Sequence, residues 1–458
     1  MSKIILRIRS DFMFTTEEIA RVTGGRLEGE NCAVESVSTD TRSIGKGALF
    51  VAVKGESFDG NDFLEKAFQN GAAAVMTERE SLDFTTDKPV IFVRDTRAAQ
   101  LALARYYRDK FNLKLCGVTG SVGKTSTKDM IFAVLSARFN TLKTEGNFNN
   151  DIGLPRTLFG LNSSFEAAVI EMGMSDLGEI SALSKAAHPN AAVITNIGFC
   201  HIENLKTQEN ILKAKLEILD GADENAPLIL CGEDELLNTV KLDRKLIRYG
   251  FGKQNDVYAS DISSTENGEK FTLHFDGKAY PAQVPVVGEH HILNALAAFC
   301  VGIEFGLSPE EIVPAFMNYS ASGMRQKIEQ RGDVTVILDC YNASPTSMES
   351  SLGVLGRMSG RKIAVLGDML ELGEMSKQLH AGIAEFVEKN ADLCFLYGTE
   401  MKALRDELFR REFPVFHSEN KSELTGLLLQ NLKSGDAVLF KGSRGMKMEE
   451  IAEKVGKR

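Results

Sequence analysis

LKLCGVT (Leu113–Thr119) running into TGSVGKTST (Thr119–Thr127) is the stretch that decides the fold of this chain. The first segment is a short apolar run bounded by a glycine turn, which reads as a buried strand. The segment after the turn has a helical pattern through Phe139. Gly120 and Gly123 let backbone N–H groups point inward without a Cβ clash, and the helix that follows adds a partial positive charge at its N-terminus. Thr119, Gly120, Ser121, Val122, Gly123, Lys124, Thr125 and Ser126 therefore form a candidate phosphate cradle. In it Lys124 holds β- and γ-phosphates and the Thr125 hydroxyl ligates Mg²⁺. The loop is a short variant, T-G-x-x-G-K-T, because the first glycine of G-x-x-x-x-G-K-[ST] falls on Val118. A glycine-rich turn with a surface lysine is the plainer alternative, and the strand–loop–helix context argues against it.

Working outward, short apolar runs alternate with helical segments. FEAAVIEMG (Phe165–Gly173) and NAAVITNIG (Asn190–Gly198) read as buried parallel strands, and Asp276-Gly277 marks a hairpin that places an antiparallel edge on that sheet. Before them, GALFVAVKG (Gly47–Gly55) reads as a strand. NDFLEKAFQNGAAAVMTE (Asn61–Glu78) reads as helix, glycine stop and strand, and TRAAQLALARYYRDKF (Thr96–Phe111) as a helix leading into the second domain. Beyond residue 322, DVTVILD, KIAVLGD, DLCFLYG and DAVLFKG are strands each followed by a helix-forming segment. The 458 residues suggest about three domains at roughly 150 residues each. The expected class is α/β with three parts: a small N-terminal α/β domain over 1–94, a central phosphate-loop parallel sheet with an antiparallel edge over 95–322, and a C-terminal Rossmann-like α/β domain over 323–458. Ligands in such sheets sit beyond the carboxyl ends of the strands.

Lys plus Arg is 53 against 63 Asp plus Glu, a net charge of −10, which argues against a nucleic-acid partner but not against an anionic small substrate. No apolar run approaches the ~20 residues of a membrane helix, so no membrane segment is expected. MSKIILRIRSDFMF has only three consecutive apolar residues before Arg7, too few for a leader core. The seven cysteines are scattered and never form C-x-x-C, as in a reduced cytoplasmic chain.

Three further residues attract attention. Glu171 ends the strand FEAAVIE, where a carboxylate can face a nucleotide-bound Mg²⁺ or simply be a solvated acid. His201 follows Asn196 by five residues, and a loop histidine is more often structural than a ligand. Lys215 in ILKAKLEIL (Ile211–Leu219) reads plainly as a surface lysine beside Lys213. Thr125, Glu171 and His201 all follow strands expected to be neighbours, so Glu171 and His201 can form a second metal site. Two metals would neutralise a triphosphate brought against a carboxylate.

Taken in order, TGSVGKTST, GNFNNDIGLP (Gly146–Pro155), EMGMSDLGEI (Glu171–Ile180), TNIGFCHIENL (Thr195–Leu205), KAKLEI (Lys213–Ile218), HHILNALAA (His290–Ala298) and KGSRGMKME (Lys441–Glu449) resemble the Mur ligases. These are the ATP-dependent amide ligases of peptidoglycan precursor synthesis. STDTRSIGKGALFVAVKGESFDGNDF (Ser38–Phe63), YNASPTSM (Tyr341–Met348) and LGDMLELGEMSKQLH (Leu366–His380) are most similar to the branch that joins D-alanyl-D-alanine to UDP-N-acetylmuramoyl-tripeptide. The tripeptide-forming branch is expected to carry D-N-P-R in its last domain, and none is found. Folylpolyglutamate synthetases lack a UDP-binding N-terminal domain. An ATP-binding switch protein, the rival from another class, has no need of a second metal beside a carboxylate substrate.

The resemblance implies further roles. Lys215 matches a lysine that becomes an N-carboxylated carbamate and helps Thr125, Glu171 and His201 hold Mg²⁺. Asn294 and Arg325 match nucleotide-contacting positions, Arg325 reaching the γ-phosphate from a hinge near Ser322–Arg325, and Asp339 matches a residue near the ribose. Lys124, Lys215, His201 and Arg325 are thus the expected catalytic set. Ser38, Thr39, Asp40, Thr41, Arg42, Phe58, Asp59 and Gly60 match the UDP region, and Asn149 and Asn150 face the muramyl peptide. Lys441 and Arg444 either bind a substrate carboxylate or cap the last strand. Where the family often shows H-N-x-x-N, this chain reads His290-His291-Ile292-Leu293-Asn294; imidazole donates one hydrogen bond where an amide donates two. The expected chemistry is an acyl phosphate formed from ATP, with a third domain that swings closed on a monomeric chain.

Overall fold

In the central domain the phosphate-loop strand Lys114–Thr119 lies in the middle of a nine-stranded sheet. From one edge the order is Lys278–Val284, Gly268–Phe275, Val257–Thr265, Leu246–Gly250, Leu228–Cys231, Ala191–Ile194, Lys114–Thr119, Ala167–Glu171 and Thr141–Lys143. The chain is seen in a computed structural model that describes residues 12–55, 58–265, 268–321, 323 and 325–456. The opening stretch 1–11, and Ser322 and Met324 of the expected hinge, lie outside the described residues.

The seven strands from Val257–Thr265 to Thr141–Lys143 pair in parallel, and Gly268–Phe275 and Lys278–Val284 add to Val257–Thr265 the antiparallel edge read from the sequence. Asp276 and Gly277 both have positive φ, 49° and 71°, as a two-residue turn of type I′ requires. Register places Glu171 opposite Val118 and Ile194 opposite Thr119, so the ends of the two flanking strands meet the loop directly. The helix Lys124–Leu135 stops short of the expected Phe139 because tighter i→i+3 bonds, Ala137 N–H to Val134 O and Arg138 N–H to Leu135 O, unwind its end. It packs against the nearly enclosed helix Glu289–Glu304, whose buried residues lie on all sides as expected of a core helix.

The N-terminal sheet runs Arg26–Glu28, Val90–Phe92, Ala74–Thr77, Ala48–Val51, Ser36–Ser38, parallel except for the first strand. The expected strand Gly47–Gly55 shortens to Ala48–Val51, and the expected helix is a 3₁₀ turn Gly60–Phe63 followed by Leu64–Gln69. The helix Thr96–Arg108 starts at the N-cap Asp95, whose carboxylate accepts from the Arg97 and Ala98 N–H groups.

The C-terminal sheet runs Lys327–Arg331, Val334–Asp339, Ala437–Lys441, Lys362–Gly367, Leu393–Tyr397, Val415–Ser418. The four strands read from sequence are the parallel centre. Two edge strands were not legible there: KIEQR is too polar and VFHS too short to stand out. One continuous apolar core runs from Phe14 through the central sheet to Leu352 and Leu408, so the three sheets share a framework.

Candidate active site

The carboxyl ends of the central strands and the facing end of the C-terminal sheet enclose a cavity of about 600 Å³. Its floor is the phosphate loop. Gly120 has φ +148°, and a Cβ there would lie 1.9 Å from Thr195 Oγ1, so only glycine fits. Asn196 fixes the loop from the neighbouring strand end: its Oδ1 accepts from Val122 N–H at 2.9 Å, and its Nδ2 donates to Val122 O at 2.9 Å. Thr195 Oγ1 donates to the same carbonyl at 2.6 Å. The loop is thus braced by strand ends before any ligand arrives. Lys124 Nζ folds back onto Gly120 O at 2.7 Å, and burial lowers its pKa, partly offset by the Glu171 charge. Asn294, on the long helix, accepts from Thr127 Oγ1 at 2.9 Å and lines the cavity, bracing the loop's helix from behind.

Glu171 is buried and held on three sides. Its Oε2 accepts from Thr125 Oγ1 at 2.8 Å, its Oε1 from Asn149 Nδ2 at 2.8 Å, and its own N–H donates to Thr144 Oγ1 at 3.0 Å. The Thr125 hydroxyl and the carboxylate are hard oxygen donors side by side, the set that suits Mg²⁺. Among the described residues no three His, Cys, Asp or Glu side chains form a ready-made metal cluster. His201 lines the same cavity, but its Nδ1 lies 2.6 Å from Glu371 Oε2 of the C-terminal domain.

Lys215 is not the surface lysine that its helical stretch suggested. It is 2% exposed, because the helix Gln208–Leu216 turns this residue inward. Burial and the Lys124 cation lower its pKa to about 7, leaving a large neutral fraction near neutrality. It does not line the cavity, but it is close enough to Lys124 and Cys200, which do, for them to act on its charge.

The C-terminal domain supplies the opposite wall. Arg325 stacks on Tyr341 with 4.2 Å from its Cζ to the ring centroid, and both line the cavity. Asp339 accepts from Lys441 Nζ and Ser351 Oγ, each at 2.6 Å. Burial raises its pKa, but Lys441 and Ser351 outweigh that and hold it below the usual range. Lys441 also reaches Asn342 O at 3.2 Å, so its ammonium is occupied in capping. Arg444 is half exposed, pairs with Glu449 at 2.7 Å and does not line the cavity, whereas Lys441 does. His290 and His291 both place Nε2 on Gln326 Oε1, at 3.0 and 2.9 Å. Burial lowers both pKa values, so neutral rings donate from Nε2, and residue 291 has exchanged an amide's role for a single hydrogen bond.

The expected UDP region lies outside this cavity, at the ends of the N-terminal strands. Asp40 binds Arg42 through two oxygens and its pKa falls to about 2 from those hydrogen bonds, while Phe58 is exposed and Asp59 caps the turn at Asn61. The segment 146–158 links the two regions. Asn149 and Asn150 line the cavity at one end, and at the other the Arg156 cation acts on Asp40. Arg97 ties the domains by donating to Asp151 at 2.7 Å and to Lys54 O at 2.8 Å. Asn196, Tyr341, Gln326 and Glu371 were given no role in the sequence reading. Asn196, Tyr341 and Glu371 had a signal only as members of TNIG, YNAS and LGDMLELG, and Gln326 had none, since no residue type or spacing announces a tertiary brace.

A phosphate loop set in a parallel sheet and faced across a cavity by a second α/β domain defines a class, the multidomain nucleotide-dependent α/β enzymes. The family model of the Mur ligase middle domain matches residues 118–302, that of the Mur ligase glutamate ligase domain 324–444, and that of the Mur ligase family catalytic domain 33–108. The chain belongs to the Mur ligase family. Similar relatives come from Bacillus subtilis, 40% identical with 96% of this chain and 97% of that one covered, and from Escherichia coli, 35% identical with 95% and 97% covered. Both are named UDP-N-acetylmuramoyl-tripeptide--D-alanyl-D-alanine ligase. A crystal structure of MurF from Acinetobacter baumannii superposes with a TM-score of 0.91 at 29% identity, over 97% of this chain and 99% of that one. MurF from Thermotoga maritima in complex with ADP gives 0.82 at 29% identity, over 92% and 97%. No helix among the described residues is long and apolar enough to cross a membrane.

Proposed function

We infer that this enzyme joins D-alanyl-D-alanine to UDP-N-acetylmuramoyl-tripeptide at the expense of ATP, releasing ADP and phosphate. The single observation that carries the reading is the cavity itself: it gathers the phosphate loop, Glu171, His201, Arg325 and Asp339 from two domains, with Asn149 and Asn150 in its lining.

The chemistry follows from the groups present. A carboxylate does not react usefully with an amine, because oxide is a poor leaving group. Transfer of the γ-phosphoryl of ATP to the terminal carboxylate of the tripeptide makes an acyl phosphate. The dipeptide amine then adds to the carbonyl, and phosphate leaves from the tetrahedral intermediate. Loop N–H groups and Lys124 hold the phosphates, and Arg325, stacked on Tyr341, presents its guanidinium to the transferring group. Asp339 and Asn294 flank the nucleotide. Ser38, Thr39, Asp40, Thr41, Arg42, Phe58, Asp59 and Gly60 hold the UDP moiety, outside the cavity. Thr125 and Glu171 would hold Mg²⁺, and His201 and Lys215 would help hold a second ion; such ions would supply the charge neutralisation that lets carboxylate and triphosphate approach. The Lys215 amine, whose pKa is lowered to about 7, is able in its neutral form to add to carbon dioxide, forming an N–C bond and releasing one proton, so that the neutral amine becomes an anionic carbamate. Positioning three reactants accounts for up to about 7–11 kcal/mol in well-oriented systems.

A phosphate-release assay tests this. With ATP, Mg²⁺, D-alanyl-D-alanine and UDP-muramyl tripeptide carrying lysine or diaminopimelate, release and a new amide by mass are expected only when all are present. Release that ignores the dipeptide, with no amide formed, overturns the reading.

A further inference from the structure

LGDMLELGEMSKQLH (Leu366–His380) is the one signature segment left without a task by the chemistry above. It follows the strand Lys362–Gly367 and is built rigidly within the C-terminal domain. Met369 N–H donates to His380 Nε2 at 2.9 Å, His380 Nδ1 donates to Ser376 O at 2.8 Å, and Leu370 N–H donates to Ser443 Oγ at 2.9 Å. His380 is fully buried, so this scaffold sits in the core of the domain. What the scaffold projects is Glu371. The carboxylate crosses the domain boundary to His201 Nδ1 at 2.6 Å, and beside it Glu203 N–H donates to Glu371 O at 3.3 Å.

Both partners of this pair have left-handed backbones, φ 62° at His201 and 64° at Glu371. Side chains with a Cβ rarely adopt that region, and such outliers gather where a particular geometry is needed. The pair is also asymmetric toward the cavity: His201 lines it and Glu371 does not. Nδ1 faces the carboxylate at 2.6 Å, so Nε2 is the ring nitrogen that Glu371 does not engage. An imidazole anchored by a carboxylate in this way is the usual support of a metal-binding histidine.

We propose that Glu371 is a positioning residue, delivered by the C-terminal domain, that fixes His201 as the Nδ1–H tautomer and so makes it a competent ligand only when that domain is docked. The inference rests on the reading of His201 as a metal ligand given above. It also gives the segment 366–380 its purpose, namely to carry one carboxylate across the domain boundary, and it makes second-metal binding report on domain docking.

The test separates the two readings. Nitrogen-15 NMR of the seven histidines, with His201 assigned through His201→Gln, reads the tautomer directly. The expected result is Nδ1–H in the wild-type protein, lost in Glu371→Ala and kept in Glu371→Gln, whose amide oxygen still accepts. Mn²⁺ binding followed by electron paramagnetic resonance, with an ATP analogue and UDP-muramyl tripeptide present, should weaken about 10–100-fold in Glu371→Ala and recover most of that in Glu371→Gln. An Nε2–H tautomer in the wild type, or a tautomer and Mn²⁺ affinity unmoved in Glu371→Ala, overturns the proposal. If His201→Gln leaves Mn²⁺ affinity intact, the metal reading of His201 fails instead, and the tautomer measurement still decides the positioning.

Discussion

The two walls of the cavity are built on different principles. The central wall is made by backbone: glycine conformations, a helix N-terminus and strand ends in register bring the loop, Thr125 and Glu171 within hydrogen-bonding distance. The C-terminal wall is made by long side chains, Arg325 stacked on Tyr341 within that domain, and is docked by others that cross the boundary, Glu371 on His201 and Arg357 on Glu269. The difference teaches where each wall's function is vulnerable. A preformed cradle fails through its own residues, whereas a wall assembled by docking fails through residues that touch no substrate.

The largest effect is expected at the cradle. Lys124→Ala should remove product formation, at least about 10²–10³-fold in kcat, with an unchanged circular dichroism spectrum, because Lys124 bonds only to loop carbonyls. A mild loss would mean the central wall does not hold the phosphates. Lys215→Ala should lose activity and regain part of it with added short carboxylates. In the wild type, limiting carbon dioxide should expose a rise in activity with pH through about 7, where the amine becomes neutral. The sign for stability is the same: the unfolded chain binds this proton more tightly, so the burial penalty is full below about 7 and is relieved as pH rises toward the ordinary lysine value.

Gly120→Ala is expected to cost a few kcal/mol of stability, in the range of about 1–3 for overpacking, and to weaken ATP binding, because the added Cβ strikes Thr195. Calorimetry with and without nucleotide checks both. On the other wall, Arg357→Ala strips a partner from Glu269, which is fully buried but keeps the Gly288 N–H and Ser264 Oγ, each at 2.6 Å. About 1–3 kcal/mol of stability should go, with the KM for substrates rising more than kcat falls. Equal falls in both walls' chemistry would erase the distinction drawn here. Smallest is Tyr341→Ala. It removes a stacking worth about 0.5–1 kcal/mol at a partly exposed site, so roughly a 2–5-fold change in the KM for ATP is expected.

The same division governs how much could be read in advance. The strand Lys114–Thr119, its loop and the hairpin at Asp276-Gly277 were legible because local residue types impose local backbone. Lys215 was misread from its own stretch, since a helix of weak amphipathicity does not announce which residue faces inward. Arg444 reads from KGSRGMKME as either a substrate-carboxylate ligand or a strand cap, and its pairing with Glu449 is not announced by that stretch. The segment 366–380 was recognisable but mute, because its purpose is a partner some 170 residues away.

By itself, then, the sequence determined the phosphate cradle, the three α/β sheets and the family, all of which follow from short-range periodicity, glycine placement and ordered motifs. Tertiary structure alone decided the burial and depressed pKa of Lys215, the occupation of Lys441 by Asp339, and the meeting of His201 with Glu371. The physical reason is that burial and charge pairing depend on what lies across a gap in space. Nothing in the local order of residues specifies that until the domains are packed together.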